Sequence, residues 1–395
     1  MAGALQGMRV VELCHFLAGP LCSMLLGDMG AEVIKIEPPG RGDLYRYTGT
    51  VYVNGESSNF LSANRNKLGL TLDLRDERGR EVLLRLVDGA DVLIENFRPR
   101  SAERLGLSYE VLAERNPRLV YCSITGFGRH GPYRERAAVD PIIQAMSGLM
   151  SLTGEDEREP VRLGSAVGDL YGALMAVQGI LGALVARERG GLGQRVDVSL
   201  LDAALFGLIP REGEYFATGE VFPRMGSGHP QFVPFQAFHA ADDYLYLAVF
   251  HNEYWQRLCR AVGHPELIGD PRYATVQERS ANRRELVALL GSILAEAPVE
   301  HWLERLEVEG VPCARINNLA DVFADPQVTA DEMVVELEHP TAGQIKVLDN
   351  PIRLSRTPTS VRIPPPTLGQ HADQVLASLG YGVDEVAELR RAGIV

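Results

Sequence analysis

Met8-Arg9-Val10-Val11-Glu12-Leu13, running into Cys14-His15-Phe16-Leu17-Ala18-Gly19-Pro20, is the stretch that decides the fold. Its first part is apolar and β-branched and predicts a strand. A turn follows, and residues 20–29 have the apolar spacing of a helix. Residues 31–37 predict a second strand. The alternation recurs at 70–74, 78–87 and 91–95, and again at 109–115 and 119–124. Short apolar strands between amphipathic helices indicate βαβ units, a parallel sheet and an α/β fold. In such sheets ligands bind beyond the carboxyl ends of the strands. The segments expected there are 14–20, 38–43, 96–99 and 126–128. No G-x-G-x-x-G follows the first strand, which disfavours a dehydrogenase of the usual dinucleotide-binding plan.

Further along, residues 170–186 form a long run rich in Ala, Leu and Gly that predicts a buried helix. The run carries Tyr171 and Gln178 and falls short of the ~20 residues of a membrane span. Residues 194–198 and 200–208 predict a strand and a helix. Gly and Pro are frequent over 210–234, which predicts a linker or active-site loop. Residues 234–239 and 244–250 predict a hairpin, and helices follow at 254–262, 282–296 and 299–309. The expected organisation is a large domain over 1–210, a linker over 211–232, and a small α+β domain over 233–326. A segment over 327–395 is expected to return to the large domain.

A net charge of −13 argues against nucleic acid or an anionic membrane as a general partner. Residues 96–136 run the other way, with eight Arg against four Glu. That local excess suits a small polyanion, or else a solvated basic surface. The only lysines in this Arg-rich chain are Lys35, Lys67 and Lys346. The five cysteines are widely spaced in apolar surroundings and read as buried free thiols of a reducing, cytoplasmic compartment. No basic region followed by an apolar stretch opens the sequence, so no secretory signal is expected.

Metal-site and hydrolase patterns are missing: there is no H-E-x-x-H, no Cys-x-x-Cys, no Walker loop and no G-x-S-x-G elbow. One acid stands out instead. Asp169, in Gly168-Asp169-Leu170-Tyr171-Gly172, opens the long apolar helix. There it meets unpaired N–H groups and the positive end of the helix dipole. It is either an ordinary helix cap or an ionised carboxylate nucleophile.

The chain resembles the class III CoA-transferases over essentially its whole length. Matching segments include Leu17-Ala18-Gly19-Pro20, Leu26-Gly27-Asp28-Met29-Gly30-Ala31-Glu32 and Asn64-Arg65-Asn66-Lys67. Glu95-Asn96-Phe97-Arg98-Pro99, Gly126-Phe127-Gly128 and Gly168-Asp169 follow in the same order. Each is weak alone, and their order and spacing together are specific. The resemblance implies a Rossmann-like large domain, a smaller domain, and open-ring monomers interlocked as a homodimer. It implies Asp169 as the nucleophile that attacks an acyl-CoA, with an aspartyl anhydride and an aspartyl-CoA thioester as intermediates. No tightly bound cofactor is expected; coenzyme A enters as acyl-CoA substrate, with small carboxylic acids as partners.

Carried over residue by residue, Phe16, Leu17 and Ala18 are expected at the pantetheine and thiol end. Leu72, Arg75, Asn96, Phe97 and Arg104 are expected near the adenine and phosphates, and Arg98, Arg134 and Arg136 are further phosphate candidates. Phe97 could equally be core. His15 and Asp140 are candidate substrate contacts, and Asp140 could instead serve structure. α-Methylacyl-CoA racemases share the fold and the Asp, but carry a His just before an Asp after the Gly-Phe-Gly turn. Here that segment is Ala138-Val139-Asp140-Pro141, and Val moves no proton. The formyl-CoA branch, an alternative like the carnitine one, has a glycine-run lid where this chain has Arg224-Met225-Gly226-Ser227-Gly228-His229-Pro230. This segment resembles the branch that uses dicarboxylates, such as succinyl-CoA–glutarate transferases. Arg211, Arg224 and His229 are candidates for the distal carboxylate, or are plain surface residues. A non-catalytic CoA-binding protein would keep the loops and lose Asp169.

Overall fold

The computed structural model describes residues 2–395, apart from the side chain of Pro99. Six parallel strands form the main sheet. They are β1 (Arg9–Leu13), β2 (Glu32–Glu37), β3 (Lys67–Thr71), β4 (Val92–Glu95), β5 (Val120–Thr125) and β6 (Arg195–Ser199). Their order is β3-β2-β1-β4-β5-β6. Chain direction across the sheet reverses between β1 and β4, which pair from Val10–Val92 to Leu13–Glu95. The loops leaving these two strands therefore part to opposite sides and open a crevice.

Helices α1 (Ala18–Asp28), α2 (Glu77–Asp88), α3 (Asp140–Met146), α4 (Val167–Gly190), α5 (Leu200–Phe206) and α6 (Arg211–Thr218) belong to the same unit. One apolar core lies on the face with α1 and α4, the other on the face with α2 and the two C-terminal helices. This doubly covered parallel sheet is the α/β architecture that the strand pattern implies. Contacts divide the chain into two units. The first runs through Leu149 and takes in Arg162–Gly219 and Gln327–Val395; the second is Met150–Val161 with Glu220–Pro326. The second unit has its own core around Trp255 and Trp302, and an antiparallel sheet of Phe235–His239, Tyr244–Ala248 and Cys313–Arg315.

Three details depart from the sequence reading. β3 begins at Lys67, three residues before the expected start at 70. Its first residue is charged yet fully buried, so hydrophobicity could not mark it. α4 is 24 residues long, and its apolar length would suit a membrane span by composition alone. It is buried on one stripe only: Gly172, Ala176, Ile180 and Leu184 are covered, while Leu174 and Val185 are 43% and 54% exposed. Within the expected linker, Arg211–Thr218 is helical.

A charge cluster with no exposure joins the central strands. Lys35 Nζ on β2 lies 2.7 Å from Glu12 Oε1 on β1 and 2.8 Å from Asp43 Oδ2. Lys67 Nζ on β3 lies 2.9 Å from Glu12 Oε2 and also donates to Pro20 O and Asn64 Oδ1. Ser23 Oγ completes Glu12 at 2.6 Å. Burial alone would raise the Glu12 carboxyl, but the two ammonium groups hold it lowered. Glu12→Gln removes the charge shared by both lysines while leaving them buried. The expected cost is about 3–5 kcal/mol, read as an earlier urea midpoint. An unchanged midpoint would mean that the lysines are stable without a central carboxylate.

Candidate active site

A cavity of about 390 Å³ opens at the carboxyl ends of β1 and β4. Its walls are the turn after β1, the segment after β4, the approach to α3 and the first turn of α4. Of the residues singled out from sequence, His15, Phe16, Leu17, Ala18, Asn96, Phe97, Arg98, Arg134, Arg136, Asp140 and Asp169 line it together. Leu44, Tyr45 and Val139 also contribute, and the sequence reading had not assigned the first two.

Asp169 is half-buried in the first turn of α4, whose N-cap is Ala166. Asp140 is buried and holds this turn. Its Oδ1 accepts from Gly168 N–H at 2.8 Å, and its Oδ2 from Gln144 Nε2 at 2.7 Å. Gly168 fits closely here: a Cβ would stand 3.0 Å from Asp140 Oδ1 and from Ile143 Cγ2 and would press on both. Burial, then the nearby Asp140 charge, pushes the Asp169 carboxyl up to about 7. This corrects the expectation of a plainly ionised carboxylate. The helix N-terminus pulls the other way, but burial opposes it.

The turn after β1 is equally constrained. Asn96 brackets His15, accepting from its N–H at 3.0 Å and donating to its C=O at 2.8 Å. Phe16 has φ +64°, a left-handed conformation uncommon for a bulky residue. Its N–H donates to Asp43 Oδ1 at 3.0 Å, and its ring meets Tyr45 edge-on at 6.2 Å. Asp43 also accepts from Tyr45 N–H at 2.9 Å. Gly-rich turns suggest free amides for an oxyanion, but two amides here are already taken: Gly168 by Asp140 and Phe16 by Asp43.

Other sequence candidates lie elsewhere. Leu72 is 1% exposed within the core, so its side chain has no surface to offer. Arg75 forks onto Asp73 at 2.9 and 2.8 Å at the surface. Arg104 ends the short helix Pro99–Arg104 and donates to Arg100 O. Of the eight arginines in 96–136, only Arg98, Arg134 and Arg136 line the cavity. Arg136 stands 5.8 and 5.4 Å from the rings of Phe127 and Tyr133. In the second unit, Arg224 donates to the carbonyls of Glu155, Asp156 and Arg158. His229 stacks at 4.9 Å on Phe235, and its Nδ1 accepts from Gln231 and Phe232 N–H. Arg224 thus ties its loop to residues 155–158, and His229 braces its own turn. Arg211 pairs with Glu214 at the start of α6.

A carboxyl at a helix mouth, three arginines and a cavity at the switch point of a parallel sheet thus stand together. The chain belongs to CoA-transferase family III, matched over residues 5–372. It is an enzyme of that family, with CoA thioesters as substrates. It is 40% identical to succinyl-CoA:glutarate CoA-transferase of Mus musculus over 392 residues, which are 99% of this chain and 90% of that protein. It is 39% identical to succinate–glutarate CoA-transferase of Agrobacterium fabrum over 381 residues, 95% of each chain. A solved CaiB/BaiF family structure from Brucella suis matches at a TM-score of 0.88 and 40% identity, covering 96% of this chain and 100% of that one.

The raised Asp169 carboxyl has a stability consequence with a definite sign. Its folded pKa, about 7, lies above its unfolded value, so folding favours the protonated acid. That preference is fully present at low pH and is lost as pH rises through 7. Asp169→Asn is therefore expected to unfold at higher urea than wild type at pH 8, by on the order of 1–4 kcal/mol, with the gap closing near pH 4. A gap that is independent of pH would mean the carboxyl is not raised.

Proposed function

We propose that this enzyme moves CoA from succinyl-CoA to a second dicarboxylic acid by way of Asp169. The carrying observation is the Asp169 carboxylate, presented by the first turn of α4 to the cavity that Phe16, Leu17, Ala18 and Asn96 line. The succinyl-CoA–glutarate relatives support the donor and the class of acceptor.

The steps balance without ATP, because every intermediate keeps an activated acyl group. An Asp169 oxygen attacks the thioester carbonyl, the C–S bond breaks, and a mixed anhydride forms. The CoA sulfur attacks the Asp169 carbonyl and expels succinate, leaving an aspartyl-CoA thioester. The second acid attacks that carbonyl and releases the sulfur again. The sulfur then takes the acyl group of the new anhydride, and Asp169 leaves as a carboxylate. Arg98, Arg134 and Arg136 are placed to attract the CoA phosphates. Asp140 is a positioning residue that fixes the Gly168–Asp169 turn.

The same reading includes a homodimer. It is supported by apolar side chains left uncovered on α4 to α6, such as Leu174, Phe206 and Phe216, the last 78% exposed. A cytoplasmic location is supported by free thiols, four of them buried.

The deciding experiment is CoA exchange from succinyl-CoA to a panel of mono- and dicarboxylic acids, read by mass spectrometry. Wild type is expected to form glutaryl-CoA or a related dicarboxyl-CoA, and Asp169→Ala to lose at least about 10³-fold. Exchange surviving in Asp169→Ala, or α-proton exchange without transfer, would overturn the reading. Sedimentation is expected to give about twice the 43.3 kDa chain mass; a stable monomer would overturn the dimer.

A further inference from the structure

His15 is the one imidazole that lines the cavity among the described residues, and the aspartyl route above gives it nothing to do. It is nonetheless held with care. Asn96 fixes its backbone on both sides. Its Nδ1 is buried, without a hydrogen-bond partner among the described residues, and faces Asp43 Oδ1 at 3.6 Å. That distance is an electrostatic contact and not a hydrogen bond. Asp43 keeps its charge although buried, because Lys35 is 2.8 Å from its other oxygen. With Nδ1 covered, the 29% of the His15 side chain that stays accessible lies away from that nitrogen, and His15 lines the cavity. A carboxylate behind one ring nitrogen and a reaction space before the other is how a histidine is set to exchange protons.

The route through Asp169, on which this inference rests, expels the CoA sulfur and then needs it back. A bare thiolate would stand in a half-closed cavity beside the Asp140 and Asp169 carboxyls, where an unpaired charge is costly. We propose that His15 is a further catalytic residue, the acid–base partner of the CoA sulfur. As the C–S bond breaks, its Nε2–H passes a proton to sulfur, leaving neutral imidazole and a thiol. As the sulfur attacks the anhydride, Nε2 takes the proton back. No proton is gained or lost over the cycle, and Asp43 faces the ring throughout.

The other ionisable groups around the ring can be told apart from it. The Asp169 carboxyl, raised to about 7, gains charge as pH rises and so cannot cause a fall on the alkaline side. Burial, with the Asp169 charge next, raises Tyr45, and burial keeps the adjacent Cys14 thiol well above its usual range. Arg98, Arg134 and Arg136 stay charged, and Asp43 is locked to Lys35. The buried Lys67 amine, lowered to about 8, is unchanged in the His15 variants, so the part of an alkaline fall in rate that disappears with the imidazole belongs to His15.

The test compares wild type, His15→Gln, His15→Ala and Asp169→Ala in succinyl-CoA–glutarate exchange across pH 6 to 9.5. Wild-type kcat is expected to fall on the alkaline side. His15→Gln should lose about 10²-fold in kcat, with KM for succinyl-CoA little changed, and should show a smaller alkaline fall than wild type. Added imidazole should restore part of the His15→Ala rate, which also shows that this variant is folded. Three results would each overturn the proposal: kcat within about threefold of wild type with the alkaline fall intact, a loss confined to KM, or no rescue by imidazole. Asp169→Ala separates the two ideas, since exchange surviving there sinks the aspartyl route itself, whatever the His15 variants do.

Discussion

Everything in the site hangs on four buried charges that sum to zero: Glu12, Lys35, Lys67 and Asp43. Each would cost several kcal/mol to bury alone, so they are tolerable only together and in this geometry. The geometry spans three neighbouring strands and the loop that follows β2. A slip of one strand would separate the charges and leave them unpaired. The cluster thus fixes the register of β1, β2 and β3 and the position of Asp43 at the same time. It also explains an oddity of composition. In a chain that otherwise uses Arg, two of the three lysines stand here. A compact ammonium with three donors fits between strands at 2.7–3.0 Å, where a guanidinium fork does not.

The sequence made the scaffold legible because burial leaves a simple mark on it. Short runs such as 9–13 and 120–125 are covered on both faces, and amphipathic helices lie between them. Asp169 was legible too, as a lone acid opening an apolar helix. The rest was hidden where polar residues are buried by partners far away in sequence. Lys67 begins a strand because Glu12 is waiting for it 55 positions earlier. Segment 64–67 belongs to the matching family pattern, yet Arg65 and Asn66 are spent on the buried Asp28, with Arg65 at 2.6 Å. Asp43 carried no signal beyond its Gly-x-Gly turn. Leu72 shows the same limit from the other side, since a residue can belong to a shared motif because it packs the core.

Asp169 sits at a compromise between two fields. A helix N-terminus favours the carboxylate, whereas burial and Asp140 favour the acid. Asp140 cannot simply be dispensed with, because it holds the turn that aims Asp169. The electrostatic cost of the neighbour and the mechanical need for it are the same contact. A carboxyl raised to about 7 is also more basic, and so more nucleophilic when ionised, than an ordinary surface carboxylate.

Two turns meet at the cavity, and an aspartate anchors each through a backbone amide. Asp140 takes Gly168 N–H, and Asp43 takes Phe16 N–H. The second anchor also offsets a strained backbone: Phe16 at φ +64° costs on the order of 1–2 kcal/mol, which its bond to Asp43 and the Asn96 bracket around His15 help to hold in place. This precision has a chemical consequence. Amides committed to aspartates cannot also stabilise an oxyanion or a departing sulfur. Side chains can supply charge that these two amides do not, and the turn carrying His15 is held on both sides by Asn96. Rigidity at Phe16 and proton chemistry at His15 are, on this argument, two results of placing one buried carboxylate behind the loop.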